Sequence, residues 1–226
     1  MRLNNYLNEL TSEYGKGITF VDVDETLFHT FAVIKVFKDG ALVKELDNQE
    51  FNTYELEPGE SFDFSEFESA KLFKETSIPI PKTINRIKRM LKNIDIRRSK
   101  IVFLTARSDF DDKHTFLRTF KENGININKI YVERTGNMKT GTTANKKKTI
   151  ILKYLLTGLY RRVRLIDDSI KNIRTFLELE QEVPNGTLEK VKQNYKIPEG
   201  ENLPIISFYG LLVLPDGKLK RIVGGK

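Results

Sequence analysis

Four short apolar, β-branched runs constrain this chain more than anything else in it: residues 17–23, 101–104, 129–133 and 163–166, separated by stretches with helical spacing. Apolar runs without strict alternation read as strands buried on both faces. Strands that alternate with helices fold into an α/β domain around a mainly parallel sheet, with helices on both faces. The spacing predicts helices over 81–93 (Ile84, Ile87, Met90, Leu91 and Ile94 inward), over 145–157 and over 169–180. A further helix opens at Asp109 as N-cap, turns Phe110, Leu117 and Phe120 inward, and stops at Gly124.

Residues 28–78 lie between the first strand and the next predicted helix and read as an insertion. Runs 31–38 and 41–46 flank Asp39-Gly40, a two-residue hairpin signal. Residues 51–54 are expected as a third strand and 64–74 as a short acidic helix. A second hairpin is predicted across Pro215-Asp216-Gly217, between runs 205–214 and 218–223. The expected organisation is a catalytic domain over 1–180, with an enlarged β-hairpin flap or small cap at 28–78. Residues 181–226 form a C-terminal extension packed on the same domain.

The chain has no cysteine, which excludes disulfides and thiolate metal sites. No run approaches the length of a membrane span, so a soluble, cytoplasmic protein with no membrane partner is expected. Charge is unevenly spread. Residues 41–75 carry 3 Lys/Arg against 10 Asp/Glu, and residues 82–164 carry 22 against 6. The long basic block points to an anionic partner, nucleic acid first, although solvated lysines need none.

In open parallel sheets, sites form beyond the carboxyl ends of the strands. Four polar groups follow that rule: Asp22-Val23-Asp24-Glu25-Thr26, Thr105-Ala106-Arg107, the Lys146-Lys147-Lys148 triplet opening a helix, and Asp167-Asp168-Ser169. Asp22, Asp24, Asp167 and Asp168 would converge at one edge and repel one another. A hard divalent cation resolves that repulsion, and an all-oxygen donor set favours Mg²⁺. Three lysines at a helix N-terminus oppose its dipole, at about 0.3–1 kcal/mol each when exposed, unless an anion lies nearby.

In this order, FVDVDETLF, LTAR, the lysine triplet and LIDDS resemble the four motifs of the haloacid dehalogenase (HAD) phosphatases, across residues 17–179. The chain is similar to phage-encoded members of that family and to the 3′-phosphatase half of phage polynucleotide kinase. The resemblance implies a Rossmann-like three-layer fold and a Mg²⁺-dependent phosphomonoesterase. Asp22 would be the nucleophile and form an aspartyl phosphate. Asp24 would be the acid and base, with its pKa above that of Asp22. Thr105 would donate to the phosphoryl group, and one lysine would neutralise it. Lys148, 19 residues before Asp167, is favoured, with Lys147 next. Mg²⁺ would be held by Asp22, the Asp24 carbonyl, Asp167 and Asp168, while Thr26, Arg107 and Lys147 would support or contact the substrate. The chain departs from the pattern at Glu25, Ala106 and Ser169, and it carries no P-loop.

The expected substrate is a phosphorylated one: nucleic-acid 3′ ends or nucleotides. The alternatives are a small-metabolite phosphatase, or a non-catalytic nucleic-acid or protein-binding factor on the same scaffold. His29 and His114 are read as structural. Asp109, Asp111 and Asp112 are read as an acidic first helical turn, and Phe62, Phe64 and Phe67 as the core of the insertion rather than a base-stacking platform.

Overall fold

The computed structural model describes residues 16–51, 53–198, 200 and 204–223. The first strand, β1 (Gly17–Val21), lies inside a six-stranded sheet. It is flanked by two parallel neighbours, β7 (Lys100–Thr105) and β9 (Arg162–Asp167). Beyond β7 lies β8 (Ile130–Arg134), and beyond β9 lie β10 (Ser207–Val213) and β11 (Leu219–Ile222). All pairings are parallel except that of β11 with β10.

Alternation along each strand builds two cores. On one face Val21, Phe103 and Ile166 pack with Ile84, Ile87 and Leu91 of α4 (Pro81–Lys92), and with Phe116 and Phe120 of α5 (Lys113–Glu122). On the other face Phe20, Leu104 and Leu165 pack against Ile151 and Leu155 of α6 (Thr143–Leu155), against Ile173 and Phe176 of α7 (Ile170–Leu177), and against Val191 of α9 (Asn185–Tyr195). Each buried large side chain contributes about 1.5–3 kcal/mol relative to exposure. The result is α/β with a mostly parallel sheet and helices on both faces, compatible with a Rossmann-like three-layer arrangement.

The insertion starts and ends on a short antiparallel pair, β2 (Phe28–His29) with β6 (Ile78–Pro79). Between them β3 (Ile34–Lys38) and β4 (Ala41–Leu46) form the expected hairpin, turned at Asp39 (φ 51°) and Gly40 (φ 80°). Positive φ at both central residues matches the twist of the flanking strands.

The third strand of this small sheet is β5 (Glu60–Asp63), not residues 51–54. Residues 48–51 instead form a helical turn, α1 (Asn48–Phe51). A reciprocal cap explains it: Glu50 N donates to Asp47 Oδ1 at 2.8 Å, and Asp47 N donates to Glu50 Oε2 at 3.0 Å. The acidic helix is two helices, α2 (Ser65–Glu68) and α3 (Ala70–Thr76). Ser69 is extended between them, and its hydroxyl caps the second through Leu72 N.

Phe67 packs with Ile34, Val36 and Leu46 in the insertion's own core, and Phe62 lies edge-on to Phe51 and Tyr54. Phe73 joins the main core through contacts with Phe28, Phe110 and Phe116. The N-cap of α5 is Asp112 rather than Asp109; its carboxylate accepts from His114 N and Thr115 N.

Residues 181–226 contribute to the central sheet itself. After α8 (Leu179–Glu182) and α9 the chain enters β10, which pairs with β9 along its whole length. Gly210 permits this: a Cβ there would lie 2.6 Å from Ile173 of α7. No described helix is long and apolar enough to cross a membrane.

Candidate functional site

Strand register brings the polar residues together. Val21 lies opposite both Phe103 and Ile166, so Asp22, Thr105 and Asp167 leave the sheet at the same edge. Asp22 N donates to Ile166 O at 2.9 Å, which pins the first carboxylate beside the end of β9. One carboxylate oxygen each from Asp22, Asp167 and Asp168 lies within 4.8 Å of the others. Asp22 and Asp167 are buried, whereas Asp168 opens to solvent at the rim.

Lys147 completes the cluster. Its Nζ lies 2.8 Å from Asp22 Oδ1 and 2.8 Å from Asp167 Oδ2. The sequence favours Lys148 here, and the structure corrects that. Ala144, Lys147, Ile151 and Leu155 form the buried stripe of α6, which turns Lys148 outward to Glu178 and Glu182 at 2.9 and 3.0 Å. Burial alone would lower the Lys147 pKa, but the charges of Asp167 and Asp22 overcome it and hold the ammonium well above its ordinary range. The unfavourable start of a lysine-rich helix is thereby offset by buried carboxylates.

Burial, helped by Asp167, Asp168 and Asp24, raises the Asp22 carboxyl well above its usual value against the pull of Lys147. Asp168 is exposed as a residue, but its carboxyl sits in the cluster, and desolvation there first and then the Asp167 charge push it up to about 7. Thr26 is fully buried, and its hydroxyl donates to Asp168 Oδ1 at 3.3 Å, so it supports the cluster and does not face a substrate. Asn172 was not singled out by the sequence. It donates from Nδ2 to Asp167 Oδ1 at 2.9 Å, an oxygen that also accepts from Ser169 N at 2.9 Å.

Asp24 is held differently. Arg107 Nε and Nη2 reach Asp24 Oδ1 at 3.0 and 2.7 Å, and Nε reaches Oδ2 at 3.1 Å. The expectation of a raised Asp24 pKa is overturned. Burial pushes it up, but the Arg107 charge and hydrogen bonds outweigh burial and hold it below the usual carboxylate value. Arg107 is not open to substrate either. Its guanidinium is buried, lies 4.6 Å from the Phe67 ring and donates to Phe67 O at 2.8 Å. Thr105 is buried beside the pair; its hydroxyl donates to Asp24 Oδ2 at 3.4 Å and accepts from Arg107 N at 3.1 Å.

Two residues outside the sequence motifs shape this loop. Thr135 donates to Thr105 O at 3.2 Å, and Gly136 packs so closely that a Cβ would lie 2.3 Å from Ser108 N. Glu25 adopts φ 51°, the left-handed conformation that glycine takes without cost. Its carboxylate compensates by accepting from Thr30 N at 2.9 Å and contacting His29 Nδ1 at 2.8 Å.

The donor set fits a hard divalent cation. All three side chains offer carboxylate oxygens, and the Lys147 ammonium faces two of them, Asp22 Oδ1 and Asp167 Oδ2, at 2.8 Å each. One ammonium offsets only part of the charge of three carboxylates, and a divalent cation held by their oxygens would offset the rest. The trio therefore has the composition and spacing to hold a metal ion. The chain matches no family model, no curated protein and no solved structure, so the geometry of this cluster carries the functional reading.

Proposed function

We propose that the protein is a Mg²⁺-dependent phosphomonoesterase of the haloacid dehalogenase type, with Asp22 as nucleophile. The observation that supports it best is the meeting of Asp22, Asp167 and Asp168 with the buried Lys147 ammonium at the carboxyl edge of a parallel sheet. Binding alone needs no such costly cluster. Asp22, Asp167 and Asp168, with the Asp24 backbone carbonyl as the family resemblance implies, would hold the cation. Once bound, it would neutralise charge between the carboxylates and the phosphoryl oxygens.

In this reading an Asp22 carboxylate oxygen attacks phosphorus, the ester P–O bond breaks, and an aspartyl phosphate forms while the alcohol departs with a proton. Lys147 supplies fixed positive charge to the phosphoryl oxygens, and the Thr105 hydroxyl supplies a hydrogen bond. Water then attacks phosphorus and releases Asp22. Held by Arg107, Asp24 is a carboxylate, which suits it to take the proton from that water. To protonate the leaving alcohol it must first part from Arg107 and take up a proton, which it gives to the ester oxygen as the P–O bond breaks and recovers from the attacking water in the second step.

The long basic block favours nucleotides or nucleic-acid 3′ ends as substrate. One observation favours a free nucleotide or small phosphoester instead: the Arg107 bond to Phe67 O fixes the insertion beside the site. The test is phosphate release from a generic aryl phosphate with Mg²⁺ and with EDTA, followed by a panel of nucleotides and 3′-phosphorylated oligonucleotides. Mg²⁺-dependent release that Asp22→Asn abolishes is expected. Release that survives Asp22→Asn, or that ignores EDTA, contradicts the proposal.

A further inference from the structure

At the opposite end of the sheet, roughly 15 Å from Asp22 along β1, lies a cavity of about 350 Å³ between the strand starts and α4. Six cations line it: Arg86 and Arg89 of α4, Arg97 and Lys100 before and in β7, and Arg162 and Arg164 of β9. No described carboxylate lines it. All six belong to the basic block of residues 82–164, so the fold gathers a charge that is diffuse in sequence into one concave place.

The local structure makes this a built feature. β9 alternates, with Val163 and Leu165 in the core beneath α6 and α7, while Arg162 and Arg164 face the α4 side. Arginines at two successive positions on one face of an interior parallel strand are unusual, because such strands are covered by apolar helix faces. Here α4 leaves the strand starts open. Arg164 lies between Thr19 and Tyr209 in register, and Nη1 donates to Thr19 Oγ1 at 3.4 Å.

Crowding these cations has a cost, and no described residue of the cavity lining supplies a carboxylate against it. Burial lowers the Arg164 pKa, and the charges of Arg86, Arg162 and Arg97 lower it further. Arg162 is lowered in the same way, by burial and then by Arg97. Among the described residues, Arg86, Arg89, Arg97 and Arg164 have no carboxylate within ion-pair distance. Planar guanidinium groups converging on one concavity match phosphate oxygens, which they bind through paired hydrogen bonds.

We propose that this cavity is a phosphate-binding site, distinct from the carboxylate cluster, that takes the phosphate groups of a nucleotide or of a nucleic-acid strand. The two sources share one chemistry and differ in reach. A free nucleotide would place its polyphosphate among the six cations, whereas a strand would run a phosphate through the cavity and continue across the exposed Arg86 and Arg89.

The experiment is equilibrium binding of three probes to the full chain in EDTA: inorganic tripolyphosphate, a nucleoside triphosphate and a short single-stranded oligonucleotide. Without a cation the carboxylate cluster repels phosphate, so binding there does not contribute, and no turnover is needed for the readout. The wild type is expected to bind, with affinity falling as salt rises. Arg86→Gln with Arg89→Gln, both exposed on α4, should weaken binding about tenfold or more, with an unchanged far-UV spectrum. Lys113→Gln with Lys121→Gln removes the same charge from α5, away from the cavity, and should bind as the wild type. Tighter binding of the oligonucleotide than of the triphosphate would identify a strand as the source. Equal or tighter binding of the triphosphate would identify a free nucleotide. Absence of binding by all three probes, undiminished binding by the α4 variant, or equal loss in the α5 variant would overturn the proposal.

Discussion

Arg107 grips the Asp24 carboxylate through Nε and Nη2 at 2.7–3.1 Å, while its remaining nitrogen donates to Phe67 O in the insertion. One buried guanidinium therefore ties the loop after β1, the loop after β7 and the inserted segment together. The sequence marks Arg107 as a substrate contact. The structure makes it the joint between the proposed acid–base residue and the element expected to govern substrate entry.

Arg107→Met should lower the unfolding free energy by about 3 kcal/mol, because it strands a buried carboxylate and removes the cation from three aromatic rings. Arg107→Lys keeps the charge but not the planar fork, and should recover only part of the loss. Urea denaturation of the three proteins measures both effects. A loss below about 1 kcal/mol in the Met variant would mean that the pair behaves like a surface ion pair.

Adjacent lysines should behave oppositely. Lys147→Met leaves Asp22 and Asp167 without their buried counter-charge, and should cost about 3–5 kcal/mol in metal-free protein. It should also abolish phosphate release. Lys148→Met removes a partly exposed pair with Glu178 and Glu182, and should cost about 1 kcal/mol or less and leave turnover intact. Denaturation and initial rates on both variants separate the two roles.

Metal-free protein should lose stability as pH rises. The folded Asp168 carboxyl is pushed up to about 7, and Asp22 is raised as well. The folded state therefore holds protons that the unfolded chain has already released above its ordinary carboxylate pKa. Stability then declines from about pH 4 through about pH 7. In the proposed site Mg²⁺ would bind the ionised carboxylates, so its stabilising effect should grow over the same range. Thermal unfolding at a series of pH values, in EDTA and in Mg²⁺, checks both trends; a flat EDTA series would contradict the raised carboxyls.

Gly136→Ala should be disruptive although Gly136 lies outside the four motifs. Its added Cβ would meet Ser108 N at 2.3 Å and the Arg107 carbonyl carbon at 2.5 Å. These are backbone atoms that cannot swing aside, so the loop carrying Thr105 and Arg107 must shift. A loss of about 2 kcal/mol, together with reduced turnover, is expected from denaturation and rate measurements.

The sheet was legible because β1, β7 and β9 carry apolar runs that end on polar residues, carboxylates after β1 and at the end of β9 and Thr105 in β7, and the parallel register does the rest. Asp22, Asp167 and Asp168 meet as their positions after strands imply. The lysine was misplaced because counting back from Asp167 ignores helical phase. The apolar stripe of Ala144, Ile151 and Leu155 already selected Lys147. Residues 51–54 read as a strand, but the Asp47–Glu50 pair is a helix-capping signal, and the helical turn it starts at Asn48 runs into Phe51. Arg107 and Gly136 act through contacts distant in sequence, and nothing in their neighbours announced those partners; Asn172 reaches Asp167 only five residues back, from the first turn of α7. The cationic cavity was visible only as a charge excess until β9 and α4 placed its arginines side by side.

The account depends on Asp22 becoming phosphorylated, and trapping that species is its most direct test. Protein mixed with an aryl phosphate and Mg²⁺, quenched in acid and digested with trypsin, would be examined for the peptide spanning residues 17–35. The prediction is one phosphoryl group on that peptide, located at Asp22, absent in EDTA and absent in Asp22→Asn. Mg²⁺-dependent turnover with the phosphoryl group on another residue, or with none on the protein under rapid quench, would contradict it.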